Sequence, residues 1–135
     1  MARPGSGRSS TGVIRPAHRL RDYLEHMLAA IERIAAFTSD VDKAAFLGDA
    51  KTQDAVIRNL EIIGEAAHSV LRRHAEFAEL HPEIPWRLSY EMRNSVSHGY
   101  FDVDLPTIWT TIRDDLPVLE GRLSVLLRSL PDEPV

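Results

Sequence analysis

A chain of 135 residues has room for one domain with a proper core. Its 44% hydrophobic and 27% charged content is ordinary for a soluble globular protein. The absence of cysteine excludes disulfides and thiolate chemistry, and no apolar run approaches the ~20 residues of a membrane span. Net charge is −4, and Arg3, Arg8 and Arg15 sit in the N-terminal arm, so the remainder is more acidic than the total. That balance argues against a broad, salt-driven nucleic-acid surface and leaves room for a small cleft with local positive charge. Arginine supplies most of the basic residues, with lysine only at 43 and 51, and arginine is the better residue for planar contact with phosphate. The N-terminus has arginines without the apolar core of a secretory signal, so the expected location is cytoplasmic.

Residues 1–15 are rich in Gly, Ser, Pro and Arg and lack periodicity, which predicts a flexible arm ahead of one helical domain over 16–130. Pro16 opens the first long helix, where proline is tolerated. Leu20, Leu24, Met27, Ile31 and Ile34 give it one apolar stripe. Thr38-Ser39-Asp40 is expected to end it and cap a short segment, Val41 to Leu47, closed by Gly48-Asp49. A single helix is predicted from Ala50 to Leu80, with Val56, Leu60, Ile63, Ala67 and Val70 on one stripe and Ala55, Ile62, Ala66 and Leu71 widening it. Gly64, Ala66 and Ala67 admit a close neighbour. His81-Pro82-Glu83-Ile84-Pro85 stops that helix. A shorter one runs from Trp86 to Ser97. Asp104 caps the last, with Pro106 in its first turn. Leu105, Ile108, Ile112, Leu116, Leu119, Leu123 and Leu126 form its stripe, and Pro117 inside the run is expected to bend it. No strand-like alternation appears. The fold class is therefore all-α, an up-and-down bundle of four main helices plus one short helix.

The densest chemistry lies in Arg93-Asn94-Ser95-Val96-Ser97-His98-Gly99-Tyr100. On a continuous helix Arg93 and His98 stand roughly 140° apart. They converge only if the helix stops near Ser97, with Gly99 as the residue past the stop. His98 would then meet the negative end of the helix dipole, which favours its charged form. A fixed cation beside a titratable one suits a phosphodiester: His98 moves protons near neutral pH, Arg93 holds developing charge, and Asn94 and Ser97 add hydrogen bonds. The plainer reading is a capping histidine and a packed tyrosine at a helix end.

Other residues read as background. Glu65 and His68 have the Glu-x-x-His spacing of di-iron bundles, but no second such pair exists to complete a site with Glu61, and no metal or other cofactor is expected. Asp104 reads as a cap rather than half of a magnesium pair with Asp102. His74 and His81 read as surface residues, and Trp86 and Trp109 as core.

The octet resembles the Arg-x4-His-x-Tyr motif of the HepT-like toxins, in the HEPN (higher eukaryotes and prokaryotes nucleotide-binding) superfamily. So do Ala30–Ile34, Asp54–Ala67, Ile84-Pro85-Trp86, Met92-Arg93-Asn94, His98–Asp104 and the Trp-x-x-Ile of the last helix, Trp109 to Ile112. The resemblance covers roughly residues 16–127. It implies a HEPN-like bundle that forms a homodimer with two motifs facing one cleft. It also implies a metal-independent endoribonuclease, the toxin of a bacterial toxin–antitoxin pair acting on RNA. Its implied partner is a minimal nucleotidyltransferase antitoxin that silences the toxin by AMPylation of the motif tyrosine. Residue by residue, Arg93 and His98 are the implied catalytic pair, Asn94 their polar neighbour and Tyr100 the modification site. The alternative is a non-catalytic HEPN module that binds a nucleotide or the nucleotidyltransferase.

Overall fold

A computed structural model describes residues 16–87, Ser89, Glu91 and 104–131. The described elements are α1 (Pro16–Thr38), α2 (Lys43–Leu47), α3 (Ala50–Arg73), α4 (Ala75–Leu80), α5 (Leu105–Thr110), a π turn (Thr111–Asp115) and α6 (Leu116–Ser129). Trp86, Arg87, Ser89 and Glu91 are also helical, and no strand occurs among the described residues. The molecule is the all-α bundle that the apolar stripes demand. The N-terminal arm at 1–15 lies outside the described residues.

The core is where those stripes meet. Leu24, Met27, Ile31 and Ile34 of α1 and Val56, Leu60, Ile63, Ala67 and Val70 of α3 are all buried, and α1 packs chiefly on α3, then on α6. Each large aliphatic side chain withdrawn from water contributes about 1.5–3 kcal/mol, so this seam is the main source of stability. Gly64 and Ala66 are buried beside Ala67, as close helix approach requires. A polar tie crosses the seam: Arg33 Nε donates to Asn59 Oδ1 at 2.8 Å, and Asn59 Nδ2 donates to the Ala55 carbonyl at 2.9 Å. Asn59 is 5% exposed and satisfied at both ends.

The ends of the helices follow from side chains. Thr38 Oγ1 bonds back to the Ile34 carbonyl at 2.7 Å, and Ser39 Oγ bonds to Ala36 O at 3.3 Å, one of the last-turn carbonyls that a helix end leaves open. The cap of α2 is Asp42, which accepts from Ala45 N–H at 2.8 Å, rather than the Thr38-Ser39-Asp40 run. Asp49 caps α3 through Thr52, accepting its N–H at 3.2 Å and its hydroxyl at 2.6 Å. Gln53 Nε2 reaches back to the Phe46 and Leu47 carbonyls and so closes α2 from its neighbour.

Two elements differ from the sequence reading. The helix expected over 50–80 breaks at His74, whose φ of −138° and ψ of 49° leave the helical region. Arg72 and Arg73 in the last turn suit the negative end of α3, and the His74 ring meets Tyr23 of α1 edge-on at 6.2 Å. The last helix accommodates Pro117 through the π turn. In a regular helix the ring would strike the carbonyl of Arg113, and no N–H would reach that carbonyl. Here the Leu116 N–H bonds to Thr111 O instead, which widens one turn ahead of the proline.

Candidate active site

The octet residues Arg93, Asn94, Ser97, His98 and Tyr100 lie outside the described residues, as do Gly99 and Asp102. The structure does describe both approaches to them. On the near side the chain is held before it reaches Glu91. Ile84 is buried, and Trp86 is 4% exposed with its indole N–H donating to the His81 carbonyl at 3.1 Å. Phe77 of α4 packs edge-on to Trp86 at 6.3 Å and tilted against His81 at 4.5 Å. Ser89 N–H bonds to the Pro85 carbonyl at 3.0 Å, which starts the helical turn. Arg122 of α6 donates from Nη1 to the Glu83 carbonyl at 2.8 Å, tying this approach to the last helix.

On the far side Asp104 starts α5. It accepts the Thr107 N–H at 3.2 Å and the Thr107 hydroxyl at 2.7 Å. The hydroxyl, then the amide, hold its carboxyl below the usual carboxylate range. The capping role expected for Asp104 is met. Trp109 follows in the core, tilted against Phe46 at 5.3 Å, with the Arg113 guanidinium 4.6 Å over its ring. Arg113 also donates to the Val41 carbonyl at 3.0 Å. Both tryptophans are core residues, as their stripes predict.

His74 and His81 are less superficial than the sequence suggested. His74 is half-buried, and burial, then the Arg73 charge, lower its pKa. His81 is half-buried, and its Nδ1 meets Glu83 Oε2 at 3.1 Å. Glu61 lies 3.9 Å from Arg58 on the same helix. Among the described residues no group of three His, Asp or Glu side chains is placed to hold a metal ion.

A groove of about 290 Å3 lies where the near approach meets the last helix. Pro85 and Ser89 form one side, and Thr111, Asp115, Leu116, Val118, Leu119 and Arg122 the other. Sequence reading missed it. The signal was Pro117, which forces the π turn and so decides how Thr111 and Asp115 face the neighbouring segment.

Comparison with known proteins finds a family and several relatives. The family described as "Ribonuclease HepT-like" matches residues 27–126. The chain is 47% identical over 106 residues to "Probable ribonuclease HepT" of Thermococcus cleftensis, covering 78% of this chain and 94% of that protein. It is 35% identical over 108 residues to "Putative RNase TTE0752" of Caldanaerobacter subterraneus, covering 80% and 94%. No solved structure matches it significantly. A matched span that takes in α1 beyond Met27, both approaches and the octet between them leaves one conclusion: the chain belongs to the HepT-like ribonuclease family.

Proposed function

We propose that the protein is a metal-independent endoribonuclease, the toxin of a toxin–antitoxin pair, working in the cytoplasm. One observation carries the reading: the sequence spells Arg93-x4-His98-x-Tyr100 without departure, inside a span that matches the ribonuclease family. Arg93 and His98 are the catalytic pair, with Asn94 and Ser97 as polar support.

Cleavage by the RNA's own 2′-hydroxyl needs a base for the attacking oxygen, an acid for the departing 5′-oxygen, and charge stabilisation between them. One octet offers one histidine. Two octets across a two-fold axis offer two His98 and two Arg93. In the proposed homodimer one His98 takes the 2′ proton and that oxygen attacks phosphorus. The other His98 gives a proton to the 5′-oxygen as its bond to phosphorus breaks, leaving a 2′,3′-cyclic phosphate. Arg93 neutralises the equatorial oxygens. The nucleotidyltransferase antitoxin then silences the cleft by moving AMP from ATP to the Tyr100 hydroxyl with loss of pyrophosphate, adding bulk and negative charge.

The test is cleavage of labelled RNA by purified protein in EDTA. Arg93→Ala is expected to cost about 10²-fold or more, by analogy with lost oxyanion donors, and His98→Ala to abolish cleavage. A dimer with one His98→Ala subunit that kept full activity would refute the division into acid and base. Mass spectrometry after incubation with the antitoxin and ATP reads the modification, and an adduct away from Tyr100 would refute that assignment. The net charge of −4 favours the second reading, a module that binds a nucleotide or the antitoxin without cutting RNA. Cleavage lost in both single variants separates the two.

A further inference from the structure

The groove between the near approach and the last helix is lined by polar groups with hydrogen-bonding capacity left over among the described residues. Ser89 is 4% exposed, and its hydroxyl has no hydrogen bond to any described residue. A buried hydroxyl without a partner costs stability, and such a group is expected to find one in water or a ligand. Thr111, 7% exposed, donates its hydroxyl to Thr107 O at 3.1 Å, so it turns only lone pairs to the groove. Asp115 is exposed and makes no side-chain cap to α6. Arg122 commits Nη1 to the Glu83 carbonyl, which leaves the rest of its guanidinium fork. Pro85, Leu116, Val118 and Leu119 supply apolar walls.

This is the pattern of a small-ligand site: apolar faces with a few convergent polar groups. At about 290 Å3 it sits at the lower end of the ~300–1,000 Å3 range of such sites, the scale of one planar base. Single-stranded RNA is read by bases turned out of the stack and bonded along their edges. A carboxylate only accepts, and its two oxygens match two adjacent donors. Guanine alone among the four bases offers that pair, at N1 and N2. Its other edge, O6 and N7, only accepts, which matches the Ser89 hydroxyl and the Arg122 fork.

We propose that this groove is a guanine site, with Asp115 on the N1/N2 edge, Ser89 and Arg122 on the O6/N7 edge, and the apolar walls on the ring faces. That its occupant is a base of an RNA substrate rests on the ribonuclease reading above. Free guanine nucleotide shares the chemistry.

NMR titration of the full-length protein with 5′-GMP, 5′-IMP and 5′-AMP tests the site. GMP is expected to bind about tenfold tighter than IMP, which lacks the N2 amine, and than AMP, within the range set by one bidentate base contact. Asp115→Asn should erase that preference. Ser89→Ala should weaken GMP while leaving the melting temperature unchanged or raised, because it removes a buried hydroxyl with no hydrogen bond among the described residues. Equal affinity for GMP and AMP, preference retained in Asp115→Asn, or no binding at all overturns the proposal. So does a dimer that dissociates in Val118→Asp when GMP shifts no resonance in the wild type, for then the groove is a subunit contact. A second arm measures cleavage of oligoribonucleotides that differ by one guanine-to-adenine change. Cleavage indifferent to that change removes the guanine site and keeps the nuclease. No cleavage, with Asp115-dependent GMP binding intact, keeps the guanine site and removes the nuclease.

Discussion

Three side chains show how unequal polar contacts are. Arg33 and Asn59 share one hydrogen bond, but Arg33 is exposed and Asn59 is buried. Removing Arg33 leaves a buried amide oxygen with no donor, a loss of about 1–3 kcal/mol. Replacing Asn59 with leucine frees Arg33 to bind water and leaves nothing polar behind. Urea unfolding is therefore expected to rank Arg33→Ala below Asn59→Leu in stability. Trp86 combines apolar burial with an indole hydrogen bond to His81 O. Trp86→Ala is expected to cost about 3–5 kcal/mol. Trp86→Phe keeps most of the packing, and the His81 carbonyl keeps the Ile84 N–H at 3.2 Å, so it should cost only the one lost hydrogen bond, about 0.5–1.5 kcal/mol. Differential scanning calorimetry reads both. Because Trp86 anchors the approach to the octet, RNA cleavage should fall with Trp86→Ala at temperatures where the protein remains folded.

At the scale of elements, helix ends set the response to acid. Asp49 and Asp104 both have lowered pKa values, each because a threonine hydroxyl, then that threonine's N–H, bonds the carboxylate. Their contribution is complete above the unfolded value of 3.8 and is lost as pH falls through the still lower folded values. His74 acts earlier. Burial lowers its pKa from 6.5, so below pH 6.5 the unfolded chain takes up the proton first and stability declines until the folded value is passed. Urea midpoints are expected to be flat above pH 7, to dip below 6.5, and to fall again below 4. His74→Asn should remove the first dip, and Asp104→Asn should shrink the second fall. A first dip unchanged in His74→Asn would assign it to another group.

Across the whole molecule, the sequence was most legible where burial repeats with helical period. Every residue of the 56–70 stripe and nearly every one of the 105–126 stripe is in the core, because an apolar face has only one way to leave water. The caps at Asp49 and Asp104 were legible because a short acceptor before an apolar run has few other uses. The break at His74 was not, since no glycine or proline marks it; Arg72 and Arg73 were the only local sign, and the Tyr23 contact is tertiary. The π turn was half-legible: Pro117 announces a disturbance but not whether the helix bends or widens. The octet was found as a string of residues, whereas the groove beside its approach was missed because it joins positions more than twenty residues apart.

The bond from Arg122 to the Glu83 backbone spans 39 positions, and the octet lies within that stretch of sequence. During synthesis the ribosome releases residues 83 to 100 well before it releases 122. A nascent chain thus carries the full octet while the tie between its near approach and the last helix is still unmade. If the proposed nuclease needs that tie, it stays dormant until translation of its own message is almost complete, and a message truncated before α6 yields a harmless fragment.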